Sequence, residues 1–214
     1  MLASEFHQKI GRTVAVLPFF VFHSTEVTAV SEHKTTPKGR SKRNKEFLEW
    51  MDALVLSILV LVLLFTFVVR PVRVDGSSML PNFVDGERVL AWQLGYTPAH
   101  GDVVVVDAYT PHGKTLIKRV IGVAGDTIHI DFQNGIVYRN GEVLDEPYTA
   151  EPTYLYESVD FPVTVPEGCL FVMGDNRNNS KDSRDTDIGF VDVRDVLGKV
   201  VFRLSPLNKI GVIS

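Results

Sequence analysis

The chain has 214 residues and a formal net charge of −4, and 22% of its residues are charged. This length suits one medium-sized domain with additional segments, and the slightly acidic balance gives no general reason to expect nucleic-acid binding. The single cysteine, Cys169, excludes an internal disulfide and is expected to be a buried structural thiol. The sequence contains neither a Cys/His cluster nor an H-E-x-x-H motif, so it predicts no metal site.

The first segment, residues 1–46, carries little structural signal. Its apolar stretch TVAVLPFFVF is too short to span a bilayer and is interrupted by Pro18. We expect this segment to be a disordered cytoplasmic tail.

Residues 47–69 are predicted to form a transmembrane helix. The stretch ALVLSILVLVLLFTFVV (53–69) carries no charge, and about twenty helical residues span the ~30 Å hydrocarbon core. No small-x-small site follows it, which disfavours a cleavable signal peptide, and no polar stripe marks it as a soluble core helix. Six lysines and arginines lie between positions 34 and 45, whereas only Arg70 and Arg73 closely follow the span. This asymmetry predicts a single-pass membrane protein with a cytoplasmic N-terminus and with residues 70–214 on the extracytoplasmic side.

The sequence after the span has the pattern of β-strands. Short β-branched or alternating runs are separated by Gly, Pro, Asp and Asn, and no long amphipathic helical pattern occurs. Asn140-Gly141 predicts a two-residue hairpin turn. We therefore expect an all-β fold, barrel-like or sandwich-like, with residues 128–165 as a smaller inserted β subdomain. The predicted strands lie in RVLAWQL, GDVVVVDA, TLIKRVIGV, TIHIDF, GIVYRNGEVL, FPVTVPEG, CLFVMGD and KVVFRLS.

Three stretches carry side chains that could perform chemistry. VRPVRVDGSSMLPNF (69–83) presents Ser77 and Ser78 just after the span, either as part of a turn or as a nucleophile. TLIKRVIG places Lys118 in an apolar strand, either on the wet face of an edge strand or desolvated as a general base. MGDNRNNSKDSRD (173–185) is either a hydrophilic loop with Asx turns or a set of groups that orients a catalytic side chain.

Histidine is the alternative general base. Three of the six histidines precede the span, which leaves His100, His112 and His129. A Ser-His-Asp triad stays open at this point, because the fold and not the sequence order brings triad partners together.

Four blocks behind the apolar span resemble those of bacterial type I signal peptidases. These are membrane-bound Ser-Lys proteases of peptidase family S26 that remove signal peptides from exported proteins. The resemblance covers roughly residues 45–210, and the order of the blocks is far more specific than any block alone. The blocks are GSSMLP (76–81), HGDVVVV (100–106), IKRVIGVAGD (117–126) and MGDNRNNSKDSR (173–184).

The chain departs from the family pattern at a few positions. Asn82 replaces the usual Thr, His100 replaces the usual Arg, and Ala124 replaces a common Pro. Gly76 stands where some members carry a serine whose hydroxyl helps to bind the oxyanion. The resemblance then leaves the backbone N–H of Ser78 as the main oxyanion donor.

The resemblance implies a signal-peptidase-type β-fold and a Ser-Lys mechanism that needs no cofactor and no metal. It makes Ser78 the nucleophile and Lys118 the base, with Ser180 holding the lysine amine by a hydrogen bond. The other supporting residues are Asp182, Arg184, Arg119 and Asp175.

The resemblance also implies how substrate binds. The extended C-region of a signal peptide would add as a strand beside the segments that lead into Ser78 and Lys118. The expected partners are exported preproteins and the lipid bilayer, without nucleic acid, and the protein is expected to be a monomer. Shallow apolar pockets are predicted from Val72, Val74, Met79, Leu116 and Ile117.

Two functions of other classes compete with this interpretation. A self-cleaving Ser-Lys repressor of the SOS type would need a DNA-binding domain in place of the anchor. A membrane-anchored β-domain acting in adhesion or assembly would tolerate the loss of Ser78.

Overall fold

The computed structural model describes residues 42–107 and 113–213. Residues 1–41 of the predicted tail, and His112, lie outside the described residues. The first element is helix α1, Lys42–Phe67. Its apolar side chains face outward, with Leu56 and Phe67 60% and 61% exposed. The 24 residues Asn44–Phe67 are long and apolar enough to cross a bilayer, and this fits a membrane anchor.

Helix α1 runs directly into the first strand. The N–H of Val68 still donates to Leu64 O (2.9 Å), while its carbonyl already accepts from the N–H of Gln93 (3.0 Å). Val68 is therefore shared by helix and sheet, and no flexible linker separates α1 from the β-domain.

Twelve strands follow α1 in the described residues, which confirms the predicted all-β fold behind an apolar helix. They are β1 Val69–Arg73, β2 Arg88–Trp92, β3 Val103–Val106, β4 Leu116–Val123, β5 Thr127–Asp131, β6 Ile136–Arg139, β7 Glu142–Val143, β8 Val163–Thr164, β9 Cys169–Met173, β10 Val191–Asp192, β11 Val196–Ser205 and β12 Gly211–Val212. Short 3₁₀ turns occupy Arg177–Asn179, Val193–Asp195 and Leu207–Lys209.

The larger sheet is antiparallel, with the strand order β1-β2-β11-β3-β4-β9-β10 and β12 paired to β11. The sequence pattern did not predict β1, which contains Pro71. Proline has no N–H to donate, and β1 tolerates it because this strand lies at the edge of the sheet.

The smaller sheet has the order β7-β6-β5-β8. Its hairpin turns at Asn140 and Gly141, whose φ angles are 56° and 83°. Two successive positive φ angles are the requirement of a type I′ turn, so the predicted Asn-Gly turn is confirmed.

The core comprises several buried clusters that hold the sheets together. The cluster under β1, β2, β3 and β11 includes Val74, Met79 and Phe83, which are 2%, 1% and 1% exposed. These three side chains bracket Ser78 and tie its turn to the sheet. Cys169 is a free, partly buried thiol that packs against the cluster beneath the smaller sheet.

Candidate active site

Ser78 lies in the turn that follows β1. The N–H of Leu80 donates to Ser77 O (3.1 Å), and the N–H of Asn176 donates to Ser78 O (3.0 Å). The half-buried Ser78 side chain points to Lys118, with Oγ 2.8 Å from Nζ. The neighbouring Ser77 Oγ instead accepts from the amide of Asn179 (3.1 Å). The geometry thus distinguishes the two adjacent serines, and it is Ser78, the nucleophile implied by the family resemblance, that contacts Lys118.

Lys118 lies in β4 opposite Val104 of β3 and is only 2% exposed. Lys118 therefore does not lie on the solvent-exposed face of an edge strand, which was the alternative that the sequence left open. Burial lowers the pKa of its ammonium group to about 8, and the nearby Asp182 carboxylate opposes this. With such a pKa, roughly one lysine in ten is a free amine at neutral pH. A neutral amine in contact with a serine hydroxyl can act as a general base.

Ser180 fixes the direction of the lysine amine. Its Oγ lies 3.1 Å from Lys118 Nζ and donates its own hydrogen to Asp182 Oδ2 at 2.7 Å. Because that hydrogen is already used, Ser180 can only accept from Lys118. In the neutral amine, one N–H then points to Ser180 and the lone pair is left for Ser78.

Asp182 and Arg184 form a fully buried ion pair behind Ser180. Both side chains are 0% exposed, and Arg184 Nε and Nη2 lie 2.8 and 2.9 Å from the two carboxylate oxygens. The N–H of Gly174 also donates to Asp182 Oδ2 (2.9 Å). Burial opposes ionisation, but the Arg184 guanidinium holds the pKa of Asp182 below its usual range. Asp182 is therefore an anionic acceptor that orients Ser180.

Gly174 marks a close approach that the sequence analysis did not single out. A Cβ built on this residue would lie 2.2 Å from Ser180 Oγ and 2.5 Å from Ser78 O. Only glycine lets the end of β9 touch both the nucleophile turn and the lysine-orienting serine. Its position in the MGDN block was the one signal available in the sequence.

Arg119 and Asp175 form a second ion pair beside the dyad. Arg119 Nε and Nη2 each lie 2.7 Å from one oxygen of Asp175, whose side chain is completely buried. Asn82 donates to Asp175 Oδ2 (2.8 Å) and to Tyr148 O (2.6 Å). The amide of Asn82, in place of the family's usual Thr, thus links the nucleophile turn to this pair.

The segment 144–162, which we call the strap, contributes contacts that sequence reasoning did not predict. Glu146 binds Arg177 through two hydrogen bonds of 2.7 and 2.8 Å. The N–H of Tyr154 donates to Asn178 Oδ1 at 2.9 Å. The strap is therefore packed against the loop that carries Ser180, although its polar sequence carried no periodic signal.

The histidine alternative is not supported by the described residues. His100 Nε2 lies 2.6 Å from Asp126 Oδ2, and exposed His129 packs near the ring of Tyr138, 5.8 Å between centroids. Neither forms a described hydrogen bond to Ser78, whereas Lys118 does. His112 lies outside the described residues.

The predicted pocket residues fall into two groups. Val74, Met79 and Ile117 are buried in the core cluster beside Ser78, and Val72 packs against that cluster. Leu116 instead packs against a different cluster. The structure thus brings four of the five together, and their contact with substrate stays a prediction.

Residues 47–205 match the family model described as "Signal peptidase, peptidase S26". Signal peptidase I of Bacillus licheniformis is 37% identical over 186 residues, covering 82% of this chain and 97% of that protein. Signal peptidase IB of Staphylococcus aureus is 35% identical over 183 residues, covering 77% of this chain and 93% of that protein. A crystal structure of a signal peptidase I from Enterococcus faecalis V583 is 32% identical, with a TM-score of 0.41, and covers 49% of this chain and 97% of that chain.

Proposed function

The chain belongs to the signal peptidase S26 family, and on that premise we propose that Ser78 is its nucleophile and Lys118 its general base. It is a serine endopeptidase that removes signal peptides from exported preproteins, as its signal peptidase I relatives indicate. The observation that carries the residue assignment is the 2.8 Å contact between Ser78 Oγ and Lys118 Nζ.

The mechanism follows from the orientation of the amine. Neutral Lys118 takes the proton of Ser78 as Oγ attacks the scissile carbonyl, and a tetrahedral oxyanion forms. Lys118 then gives this proton to the leaving amine, the peptide C–N bond breaks, and an acyl-enzyme remains. A water molecule, deprotonated by Lys118, hydrolyses the ester and restores Ser78.

The oxyanion would be bound by the backbone N–H of Ser78, which donates to none of the described residues. Gly76 offers no hydroxyl for this purpose, and its N–H donates to Asp85 Oδ1 at 2.9 Å. Gly76 has φ 87°, where an L side chain would be strained. The chain therefore stabilises the oxyanion with fewer side-chain donors than family members that carry serine here.

Two backbone edges near the dyad support binding of substrate by strand addition. Strand β1 is paired with β2 only, and it leads into the turn of Ser78. The first half of β4, Leu116–Lys118, pairs with β3, whereas its pairing with β9 begins at Arg119. An extended signal-peptide C-region between these edges would bring its scissile carbonyl to Ser78.

The proposed topology places the N-terminus in the cytoplasm and the catalytic domain, residues 70–214, outside. Its support is the apolar helix α1 and the excess of basic residues before it. We further propose a monomer, a cytoplasmic tail before α1, a membrane span within α1 and an inserted subdomain near 128–165. The predicted bounds differ from those of the helix: residues 42–46 of the predicted tail 1–46 are helical, and the predicted span 47–69 runs past Phe67 into β1.

The test is cleavage of one exported precursor by the full chain in detergent. Ser78→Ala and Lys118→Ala should abolish processing while the fold is retained. Lys118→Arg should also be inactive, because guanidinium does not surrender its proton near neutral pH. Ser77→Ala is the matched control and should retain most of the activity. Substantial turnover by Ser78→Ala or Lys118→Arg would overturn the assignment.

A further inference from the structure

A further carboxyl group lies on the strap, between residues that bind the loop carrying Ser180 and Asp182. Glu157 is half-buried, and its Oε2 atom is enclosed without a hydrogen-bond donor among the described residues. Buried carboxylate oxygens in folded proteins nearly always have a donor. Glu157 also takes part in none of the ion pairs within 4 Å among the described residues.

Backbone hydrogen bonds fix the position of Glu157. The N–H groups of Ser158 and Val159 donate to Arg184 O at 3.2 and 3.0 Å, and Arg184 Nη1 donates to Leu155 O at 3.2 Å. Ser158 Oγ also accepts from the N–H of Thr186 at 2.8 Å. The residues on both sides of Glu157 are thus bound to the loop that carries Ser180 and Asp182.

The charges that face Glu157 come from two elements. Asp182, Arg184 and Asp185 lie on the loop after β9, and Lys118 lies on β4. Burial raises the pKa of Glu157 to about 7, and the two aspartates act in the same direction while Arg184 and Lys118 oppose them. In return, ionised Glu157 favours the ammonium form of Lys118. The two groups therefore titrate in neighbouring pH ranges and influence each other.

We propose that Glu157 is a positioning residue whose charge state sets how readily Lys118 releases its ammonium proton to become a base. The proposal rests on the role of Lys118 given above. A negative charge on Glu157 stabilises the ammonium ion, whereas a neutral Glu157 favours the free amine. Glu157 acts through Lys118 and does not contact the scissile bond, and no bond forms or breaks at its carboxyl group.

The test is the pH dependence of kcat/KM for the full chain in detergent, with one exported precursor as substrate. The acid limb of this profile is the pH range in which kcat/KM falls because Lys118 becomes protonated. Glu157→Gln removes the charge of Glu157 at every pH, so the acid limb should move to lower pH by ~0.5 to 1 unit, the low end of what a nearby opposite charge produces. Between about pH 7 and pH 8, where Glu157 of the wild type is ionised and Lys118 is still largely protonated, the variant should then be about three- to tenfold faster. This advantage should disappear well below pH 7, where Glu157 of the wild type is already neutral.

Two controls separate charge from structure. Glu157→Asp keeps the charge and should keep the acid limb close to that of the wild type. Asp160→Asn removes an exposed carboxylate from the same strap and should leave the limb unchanged. If Glu157→Gln does not fold, Glu157→Ala makes the same comparison.

An acid limb that stays in place, or moves to higher pH, in a folded and active charge-removing variant would overturn the proposal. A loss of thermal stability without movement of the limb would do the same, because it would show a purely structural role. Lys118→Arg distinguishes this failure from failure of the proposed function. That variant stays inactive if only the inference about Glu157 is wrong, and it is active if the lysine is not the base.

Discussion

Replacing Lys118 by methionine should stabilise the folded protein below pH 8. Methionine has a similar length and no charge, whereas wild type must bury an ammonium ion there. Burial lowers the lysine pKa from its ordinary value of 10.5 to about 8, which at ~1.4 kcal/mol per pH unit corresponds to ~3 kcal/mol. Between these values the unfolded chain binds a proton that the folded chain has released, so wild-type stability rises with pH. Below pH 8 the wild type is destabilised by the full cost of burying the ammonium ion, whereas above pH 10.5 the lysine is neutral in both states and this cost is absent.

The assay is urea unfolding of both proteins in detergent between pH 7 and pH 10, followed by the fluorescence of Trp92 in a Trp50→Phe background. The stability advantage of Lys118→Met over wild type should shrink by ~2–3 kcal/mol across this range. Lost contacts with Ser78 and Ser180 add an offset that does not depend on pH. The exposed control Lys114→Met should show no comparable trend. A difference between Lys118→Met and wild type that is constant with pH would refute the argument that burial makes this lysine a base.

Further predictions concern the site and the membrane. Gly174→Ala should reduce kcat/KM by at least ~100-fold, because the added Cβ would collide with Ser180 and with the backbone of Ser78, and a displacement of catalytic groups by about 1 Å has an effect of this size. Activity near that of the wild type would show that the site can shift freely. Asp182→Asn leaves the buried Arg184 guanidinium without its countercharge and should lower the free energy of unfolding, measured with urea, by ~3–5 kcal/mol. A decrease of less than ~1 kcal/mol would contradict this expectation. A precursor with Ala before the scissile bond should be cut and one with Phe there should not, and equal cleavage would argue against shallow pockets. Protease added to intact protoplasts should degrade the catalytic domain, whereas protection until lysis would contradict the proposed orientation.

The strands that the sequence predicts are those with enough residues to show a pattern. β3 and β9 are continuous apolar runs, and β4 is apolar apart from Lys118 and Arg119, because both faces of these strands are covered. β5 alternates because one face is exposed. β10 and β12 have two residues each, too few to carry a period. β1 was missed because Pro71 is unfavourable in most strands, and its edge position is a property of the sheet.

The residues of the candidate site likewise differ in whether the sequence alone could predict them. The block pattern pointed to Ser78, Lys118 and Ser180, and the structure places both serine hydroxyls within hydrogen-bonding distance of the lysine amine. Strand pattern alone could not decide whether Lys118 is buried, because the loop after β9 covers it from more than fifty residues away. The contacts of Glu146 and Glu157 could not be predicted at all, since they join two irregular segments through pairings without periodicity.

The junction at Val68 couples the orientation of the β-domain to that of helix α1. The membrane-crossing candidate Asn44–Phe67 has charged residues in its first turns and none after Asp52, so its tilt in a bilayer depends on how its apolar part matches the ~30 Å hydrocarbon core. With one residue shared between helix and sheet, a change of tilt turns the whole catalytic domain rather than being absorbed by a hinge. A thicker bilayer would raise the helix toward the membrane normal and rotate Ser78 with it. The lipid chain length of the host membrane would then affect which bond of a preprotein meets the nucleophile, without any change in the residues of the site.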